Sequence, residues 1–114
     1  AVLSIVENIP REIRYISDRL HYGVREYWAT PEETEASGQG DCEDLAILAL
    51  RRIYDATGIK GEMVAGYMPT YSTWHAWIDI AGILYDPTTG DMTAENAIPW
   101  LRYDYDFLMW VIGA

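Results

Sequence analysis

The sequence predicts an α+β domain, and three observations support this prediction. The segment from Cys42 to about Thr57 is apolar on most sides, which is typical of a helix buried in the middle of a domain. After residue 61 the apolar residues no longer follow the spacing of a helix. Short segments with residue types typical of β-strands follow, separated by turns. The 114 residues lie near the most common size for one domain, so we expect a single domain over residues 1–114.

The composition supports a packed core and excludes several classes of protein. Half of the residues are apolar, so the chain can bury a core and is not expected to be disordered. The formal net charge of −10 would repel phosphates, so we expect no nucleic-acid partner. The single cysteine excludes an internal disulfide framework and any cysteine-rich zinc site.

No apolar run reaches about 18 residues, so we expect no membrane span. No signal-peptide pattern is visible either. These features slightly favour a cytoplasmic location, although the chain begins with alanine rather than methionine. The compartment and the oligomeric state stay open at this point.

Helical segments are expected before the central helix. Residues 4–7 predict a short turn, and Pro10 suits the first position of a longer helix. The sequence Thr30-Pro31-Glu32-Glu33 then matches a capping box that starts another short helix. The apolar face of the helix that begins at Pro10 would consist of residues at steps of three and four: Ile13, Ile16, Leu20, Val24 and Tyr27.

Residues 38–44 turn the chain into the central helix and place Cys42 in or near its first turn. A thiol there meets unpaired backbone N–H groups and the positive end of the helix dipole, which favour the thiolate. Asp41, Glu43 and Asp44 act in the opposite direction, because neighbouring carboxylates raise the pKa of a thiol. Gly58 is a plausible residue to end the helix.

Strands are expected at residues 62–67, 74–80 and 82–86, with a loop between the first two. Residues 99–114 are rich in aromatic side chains. We predict that they form partial strand structure that closes the sheet.

The second and third strands predict a close pair of polar side chains. With a two-residue turn at residues 81 and 82, Ile80 pairs with Ile83 and Trp77 with Asp86. In that register His75 and Asp86 are diagonal neighbours, about 7–8 Å apart at the backbone, and their side chains can meet. A slip of one residue would separate them.

Four blocks of sequence, in this order, resemble the core of the transglutaminase-like superfamily. They cover about residues 28–90, and the first is similar to the bacterial transglutaminase-like cysteine peptidases. Each block alone is a weak signal, but their common order is a strong one. The resemblance implies a papain-like α+β core in which N-terminal helices and a central, nucleophile-bearing helix pack on a small antiparallel sheet. The blocks are Gly40-Asp41-Cys42-Glu43-Asp44-Leu45-Ala46, Gly58-Ile59 through Gly66-Tyr67, Trp74-His75-Ala76-Trp77 and Tyr85-Asp86-Pro87-Thr88.

The resemblance implies a catalytic triad. Cys42 would be the nucleophile, and His75 would take its proton and later protonate the leaving group. Asp86 would hold the imidazole in the required tautomer and stabilise its charged form. The residues themselves lead to the same three positions, although each has a structural alternative: a small buried apolar side chain, a packed histidine and a turn residue before proline.

The sequence offers more than one candidate for the groups that would bind the oxyanion and the substrate. The Cys42 N–H is one candidate donor, and the Trp28 indole or the Gln39 amide is a candidate for the second. Trp28 is equally suited to the core, and Gln39 does not match the position of the papain glutamine. Trp74 and Trp77 are candidates to line a substrate groove or to cover the hairpin.

Calcium is the one cofactor that the resemblance suggests, although the chemistry itself requires none. Some of the peptidases resembled here bind calcium through acids that flank the nucleophile. Asp41, Glu43 and Asp44 lie at matching positions, and clustered carboxylates suit hard cations. The alternative is that these acids cap the helix and form a solvated face.

The sequence therefore predicts a cysteine peptidase or amidase that acts on a protein or peptide through a thioester acyl-enzyme. One alternative is transglutaminase-type acyl transfer to an amine, which differs only in the nucleophile that resolves the thioester. A second alternative is a non-catalytic binding or assembly module that retains the fold.

Overall fold

A computed structural model describes residues 1–16, 28–93 and 96–113, and shows the α+β architecture that the sequence predicts. Its helices are α1 (Val2–Glu12), α2 (Pro31–Ser37), α3 (Cys42–Thr57) and α4 (Tyr105–Ile112). Its strands are β1 (Arg14–Tyr15), β2 (Gln39–Gly40), β3 (Glu62–Met68), β4 (Thr73–Ile80), β5 (Ile83–Asp86), β6 (Asp91–Met92) and β7 (Ile98–Asp104).

The main sheet has five antiparallel strands in the order β6-β5-β4-β3-β7. Helix α3 packs on β3 and β4, and both α1 and α2 contact α3. Strands β1 and β2 form a separate parallel ribbon. Among the described residues, no helix has the length and apolar character that crossing a bilayer requires.

Helix α3 begins and ends where the sequence predicts, because both of its ends are capped by local chemistry. The Asp41 carboxylate accepts the Asp44 N–H at 2.9 Å, and the Asp44 carboxylate accepts the Asp41 N–H at 3.1 Å. Gly58 ends the helix in the left-handed conformation, with φ +76°. Residues 45–50 are fully buried, and each large apolar side chain among them contributes about 1.5–3 kcal/mol of burial.

The predicted start of the N-terminal helix is wrong. Helix α1 begins at Val2 and contains Pro10 near its end, and the chain then becomes strand β1 instead of a helix through Ile13 and Ile16. The cause is a non-local pairing: the N–H groups of Arg14 and Ile16 donate to the carbonyls of Gly38 and Gly40, both at 2.8 Å. Leu20, Val24 and Tyr27 lie outside the described residues. The capping box predicted at Thr30 is confirmed.

The predicted strands and hairpin are confirmed. Strand β4 pairs with β5 in the expected register, with Ile80 opposite Ile83 and Ile78 opposite Tyr85. Ala81 and Gly82 both have positive φ, as a tight hairpin of this length requires. The register brings His75 and Asp86 to one side of the sheet.

The C-terminal segment is only partly as predicted. Its first half, β7, closes the sheet against β3, but its second half is helix α4 rather than strand. The Asp104 carboxylate starts this helix by accepting the Phe107 N–H at 2.8 Å.

Strands β3 and β7 are joined with a bulge. Pro99 lies opposite Gly66 and Leu101 opposite Ala65, which leaves Trp100 as the extra residue. A Cβ atom at Gly66 would lie 2.0 Å from the Ile98 carbonyl oxygen, so the close approach requires glycine.

Candidate functional site

Cys42 is the first residue of α3 and is only 8% exposed. Its thiol forms a hydrogen bond with the backbone of Ala76, the residue that follows His75 on β4. The start of the helix therefore lies against the strand that carries the predicted base.

The surroundings of Cys42 favour the neutral thiol. Burial raises the pKa of the thiol most, and repulsion from Asp41 and Glu43 raises it further, whereas the hydrogen bond with Ala76 lowers it. Asp41 and Glu43 thus act as the sequence predicts. Burial and these two charges oppose the thiolate form that the start of a helix favours.

His75 and Asp86 form a buried pair. The Nε2 atom of His75 lies 3.0 Å from the Asp86 Oδ2, and the two residues are 6% and 4% exposed. The other carboxylate oxygen, Oδ1, accepts the Thr88 N–H at 3.0 Å and fixes the acid. With Nε2 facing a carboxylate, a neutral imidazole carries its proton on Nε2, which leaves Nδ1 as the nitrogen that can accept a proton.

Tyr71 completes this pair and is a residue that the sequence reasoning missed. Its hydroxyl donates to Asp86 Oδ2 at 3.4 Å, and its ring lies 4.7 Å from the His75 ring. Burial and the Asp86 charge raise the pKa of Tyr71 to about 12, so the phenol stays a donor. Tyr71 ends the 3₁₀ turn Pro69–Tyr71 between β3 and β4, and no local sequence pattern marks it as functional.

A cleft of about 320 Å³ opens beside this pair. Its wall includes Tyr15, whose backbone in β1 lies opposite Gly40, two residues before Cys42. The cleft is therefore bordered by the strand that pairs with the segment before Cys42 and by the imidazole of His75. Its lining residues are Tyr15, Tyr71, Thr73, Trp74, His75 and Thr88.

The residues predicted to line the groove or to bind the oxyanion lie in different environments in the structure. Trp74 is 41% exposed and lines the cleft, whereas Trp77 is 1% exposed and packs with Val64 and Met68 on the sheet face opposite α3. The Trp28 indole N–H donates to Glu43 at 2.9 Å and its ring packs on the core, which favours the core alternative. Gln39 lies in β2, within the ribbon that leads to Cys42.

The three acids at the start of α3 serve the fold in this structure. Both oxygens of Asp44 accept backbone N–H groups, those of Ala29 and Asp41, and the Asp41 carboxylate caps the helix. Glu43 accepts the Trp28 indole. Among residues 1–16, 28–93 and 96–113, no group of three or more His, Cys, Asp or Glu side chains is arranged to hold a metal ion. The described residues thus fit the capping alternative better than a calcium site.

Comparison with known families gives one match. A family described as bacterial transglutaminase-like cysteine proteinase matches residues 1–67, more than half of the chain. A comparison with curated proteins gives no match.

Solved structures share the fold. Calcium-bound LapG of Legionella pneumophila superposes with a TM-score of 0.71 at 18% identity, covering 90% of this chain and 63% of that one. EGTA-treated LapG gives 0.71 at 19% identity, over 97% and 77%. A candidate cysteine protease of Cytophaga hutchinsonii gives 0.57 at 22% identity, over 90% and 43%. The chain thus spans less than two thirds of the length of the first and third of these proteins.

Proposed function

This chain belongs to the bacterial transglutaminase-like cysteine proteinase family, and we propose that it hydrolyses peptide bonds in a protein or peptide substrate. One observation carries the proposal. The buried His75–Asp86 pair lies directly beside the backbone of Ala76, which hydrogen-bonds the Cys42 thiol. An ordinary packed histidine has no need of a buried carboxylate that is itself fixed by a backbone N–H.

In the proposed mechanism His75 Nδ1 takes the proton of the Cys42 thiol as sulfur attacks the substrate carbonyl carbon. Asp86 stabilises the imidazolium that forms, and the Cys42 N–H at the start of α3 donates to the developing oxyanion. The imidazolium then protonates the amine, which leaves, and a thioester remains on sulfur. Water attacks the thioester while His75 accepts its proton, and the release of the acid restores the thiol.

The raised pKa of the Cys42 thiol gives His75 a necessary role in this scheme. A thiol that is protonated at neutral pH is a poor nucleophile until a base removes its proton. Burial of the thiol and its neighbouring carboxylates favour general-base activation over a permanent thiolate. Labelling of Cys42 at neutral pH should therefore depend strongly on the imidazole.

The proposal is tested by product analysis with a peptide library in water enriched in ¹⁸O. Hydrolysis by the wild-type chain places ¹⁸O in new carboxyl ends, and the variant Cys42→Ala gives none. If products instead gain the mass of an added primary amine, the enzyme transfers acyl groups. If neither product depends on Cys42, and iodoacetamide alkylates Cys42 equally fast with and without His75→Ala, the chain is a binding module and the proposal is refuted.

We also propose calcium binding near Asp41, Glu43 and Asp44. It is supported by the calcium-bound form of LapG and by the net charge of −10 of this chain. The carboxylates would have to give up part of their capping role to bind the ion. The test is whether removal and return of calcium change the melting temperature.

A further inference from the structure

We propose that three aromatic side chains, Tyr67, Trp74 and Trp100, form a subsite that binds a bulky apolar side chain of the substrate polypeptide. We refer to these three residues as the aromatic strip. The inference rests on the proposed function and deepens it, because it names the class of substrate. None of the three side chains has a role in the mechanism above.

The strip is a continuous surface across three strands. The Trp100 ring lies 5.5 Å from the Trp74 ring and 6.4 Å from the Tyr67 ring. Trp100 is 59% exposed and Trp74 is 41% exposed. Single exposed apolar residues are common, but exposed aromatic side chains in mutual contact are typical of an interaction site.

The backbone is shaped to build this surface. Trp100 is the extra residue of the bulge between β3 and β7, and bulges turn a side chain away from its regular direction. Here the bulge brings Trp100 onto Trp74 and Tyr67. It also requires glycine at position 66, where a Cβ atom would meet the Ile98 carbonyl oxygen. Neither feature is needed for the burial of the core, since Trp74 and Trp100 are exposed and Tyr67 is only partly buried.

The strip is continuous with the cleft beside His75. Trp74 lines that cleft together with His75. Because side chains alternate along a strand, Trp74 also lies on the same sheet face as Ala76, about 7 Å further along β4. Ala76 is the residue whose backbone contacts the Cys42 thiol. A side chain bound on the strip is therefore two or three extended residues from a carbonyl at the sulfur, at about 3.3 Å per residue.

The electrostatic surroundings favour an apolar occupant over an acidic one. None of the described residues that form the strip or line the cleft is a lysine or an arginine. The chain as a whole carries a net charge of −10, which repels acidic peptides. We expect a leucine or phenylalanine on the strip to strengthen binding roughly 10- to 100-fold over glycine.

The test uses a synthetic library of octapeptides in which every position carries Leu, Phe, Lys, Glu, Ser or Gly in equal amounts. The library is passed over immobilised Cys42→Ala protein, which cannot cleave it. Retained peptides should be enriched in Leu and Phe, and Trp74→Ala or Trp100→Ala in the same background should abolish the enrichment. Trp110→Ala is the matched control, because Trp110 is 78% exposed on α4 and lies outside the strip and the cleft. Unchanged melting temperatures show that the variants fold.

The binding experiment tests the subsite, and the alkylation of Cys42 tests the proposed function, so the two can fail independently. The subsite is refuted if the retained peptides show no enrichment or are enriched in Lys or Glu. It is also refuted if Trp110→Ala abolishes the enrichment in Leu and Phe as the strip variants do. Alkylation of Cys42 by iodoacetamide, with and without His75→Ala, reports on the catalytic pair and does not require the strip. Enrichment that depends on Trp74, together with alkylation that ignores His75, would leave a peptide-binding site and remove the peptidase.

Discussion

Replacing Asp86 by Asn tests the predicted catalytic pair with the smallest change in shape. The carboxylate has two different environments: Oδ1 accepts the Thr88 N–H, and Oδ2 faces His75 Nε2 and the Tyr71 hydroxyl. In Asp86→Asn the Thr88 N–H requires an acceptor, so the amide oxygen takes the Oδ1 position. The amide NH₂ then faces Nε2 and donates to it. This forces the imidazole proton onto Nδ1, which can no longer accept a proton from Cys42.

The size of the effect follows from two losses. The charge-assisted bond that stabilises the imidazolium contributes about 1.5–3 kcal/mol. Restoring the active tautomer requires the new amide bond to break, at a cost of about 1–3 kcal/mol for a buried donor left without a partner. A combined barrier increase of about 2.5–6 kcal/mol slows proton transfer from the thiol by roughly 10²- to 10⁴-fold.

The assay is the rate of Cys42 alkylation by iodoacetamide between pH 6 and 9, followed by mass analysis. It needs no knowledge of the substrate. Asp91→Asn is the matched control, since Asp91 lies opposite Asp86 on the neighbouring strand and the change in charge is the same. If Asp86→Asn alkylates at the wild-type rate across this range, while melting normally, the carboxylate does not govern the base and the proposed mechanism is wrong.

Three further predictions follow from the contacts around the site. Tyr71→Phe keeps the ring on His75 but removes a long hydrogen bond to Asp86, so peptidase activity should fall only about 2- to 10-fold. Tyr71→Ala also removes the ring contact and should lower the activity further. An equal loss of activity in both variants would contradict the role of the ring. Glu43→Gln keeps an acceptor for Trp28 and removes one negative charge. At about 8 Å and an effective dielectric constant of about 20 that charge contributes about 2 kcal/mol, so the pKa of Cys42 should fall and alkylation at pH 7 should rise up to roughly 30-fold. An unchanged rate would show that solvent screens this charge, and a slower rate would contradict the reasoning. If calcium binds beside Asp41, EGTA should lower the melting temperature and excess calcium should restore it; no response in either direction would end that proposal.

The local chemistry of the chain determines a large part of the fold. Both ends of α3 follow from neighbouring residues. Asp41 and Asp44 cap its start, and Gly58 ends it by donating its N–H to the Tyr54 carbonyl. The hairpin register follows from the two residues between Ile80 and Ile83. That register in turn gives the contact of His75 with Asp86, 11 residues apart. These features could be predicted because capping, alternation and tight turns depend on neighbouring residues.

Other features depend on segments that are distant in sequence. Strand β1 exists because the backbone near Arg14 meets the loop near Gly38, and this pairing replaces the helix that the apolar spacing indicated. The C-terminal segment changes from strand to helix at Asp104, where its pairing with β3 ends. Spacing alone does not distinguish these outcomes, since short apolar runs suit either structure until a partner is present.

The sequence by itself determined the helix that begins at Cys42 and the pair formed by His75 and Asp86. Only the tertiary structure decided that Trp28 binds Glu43, that Tyr71 covers the imidazole and that Trp100 meets Trp74. It also raises the pKa of Cys42, first through burial of the thiol. The physical reason is that hydrogen-bond caps and strand alternation act along the chain, whereas burial, desolvation and ring contacts exist only after distant segments have packed together.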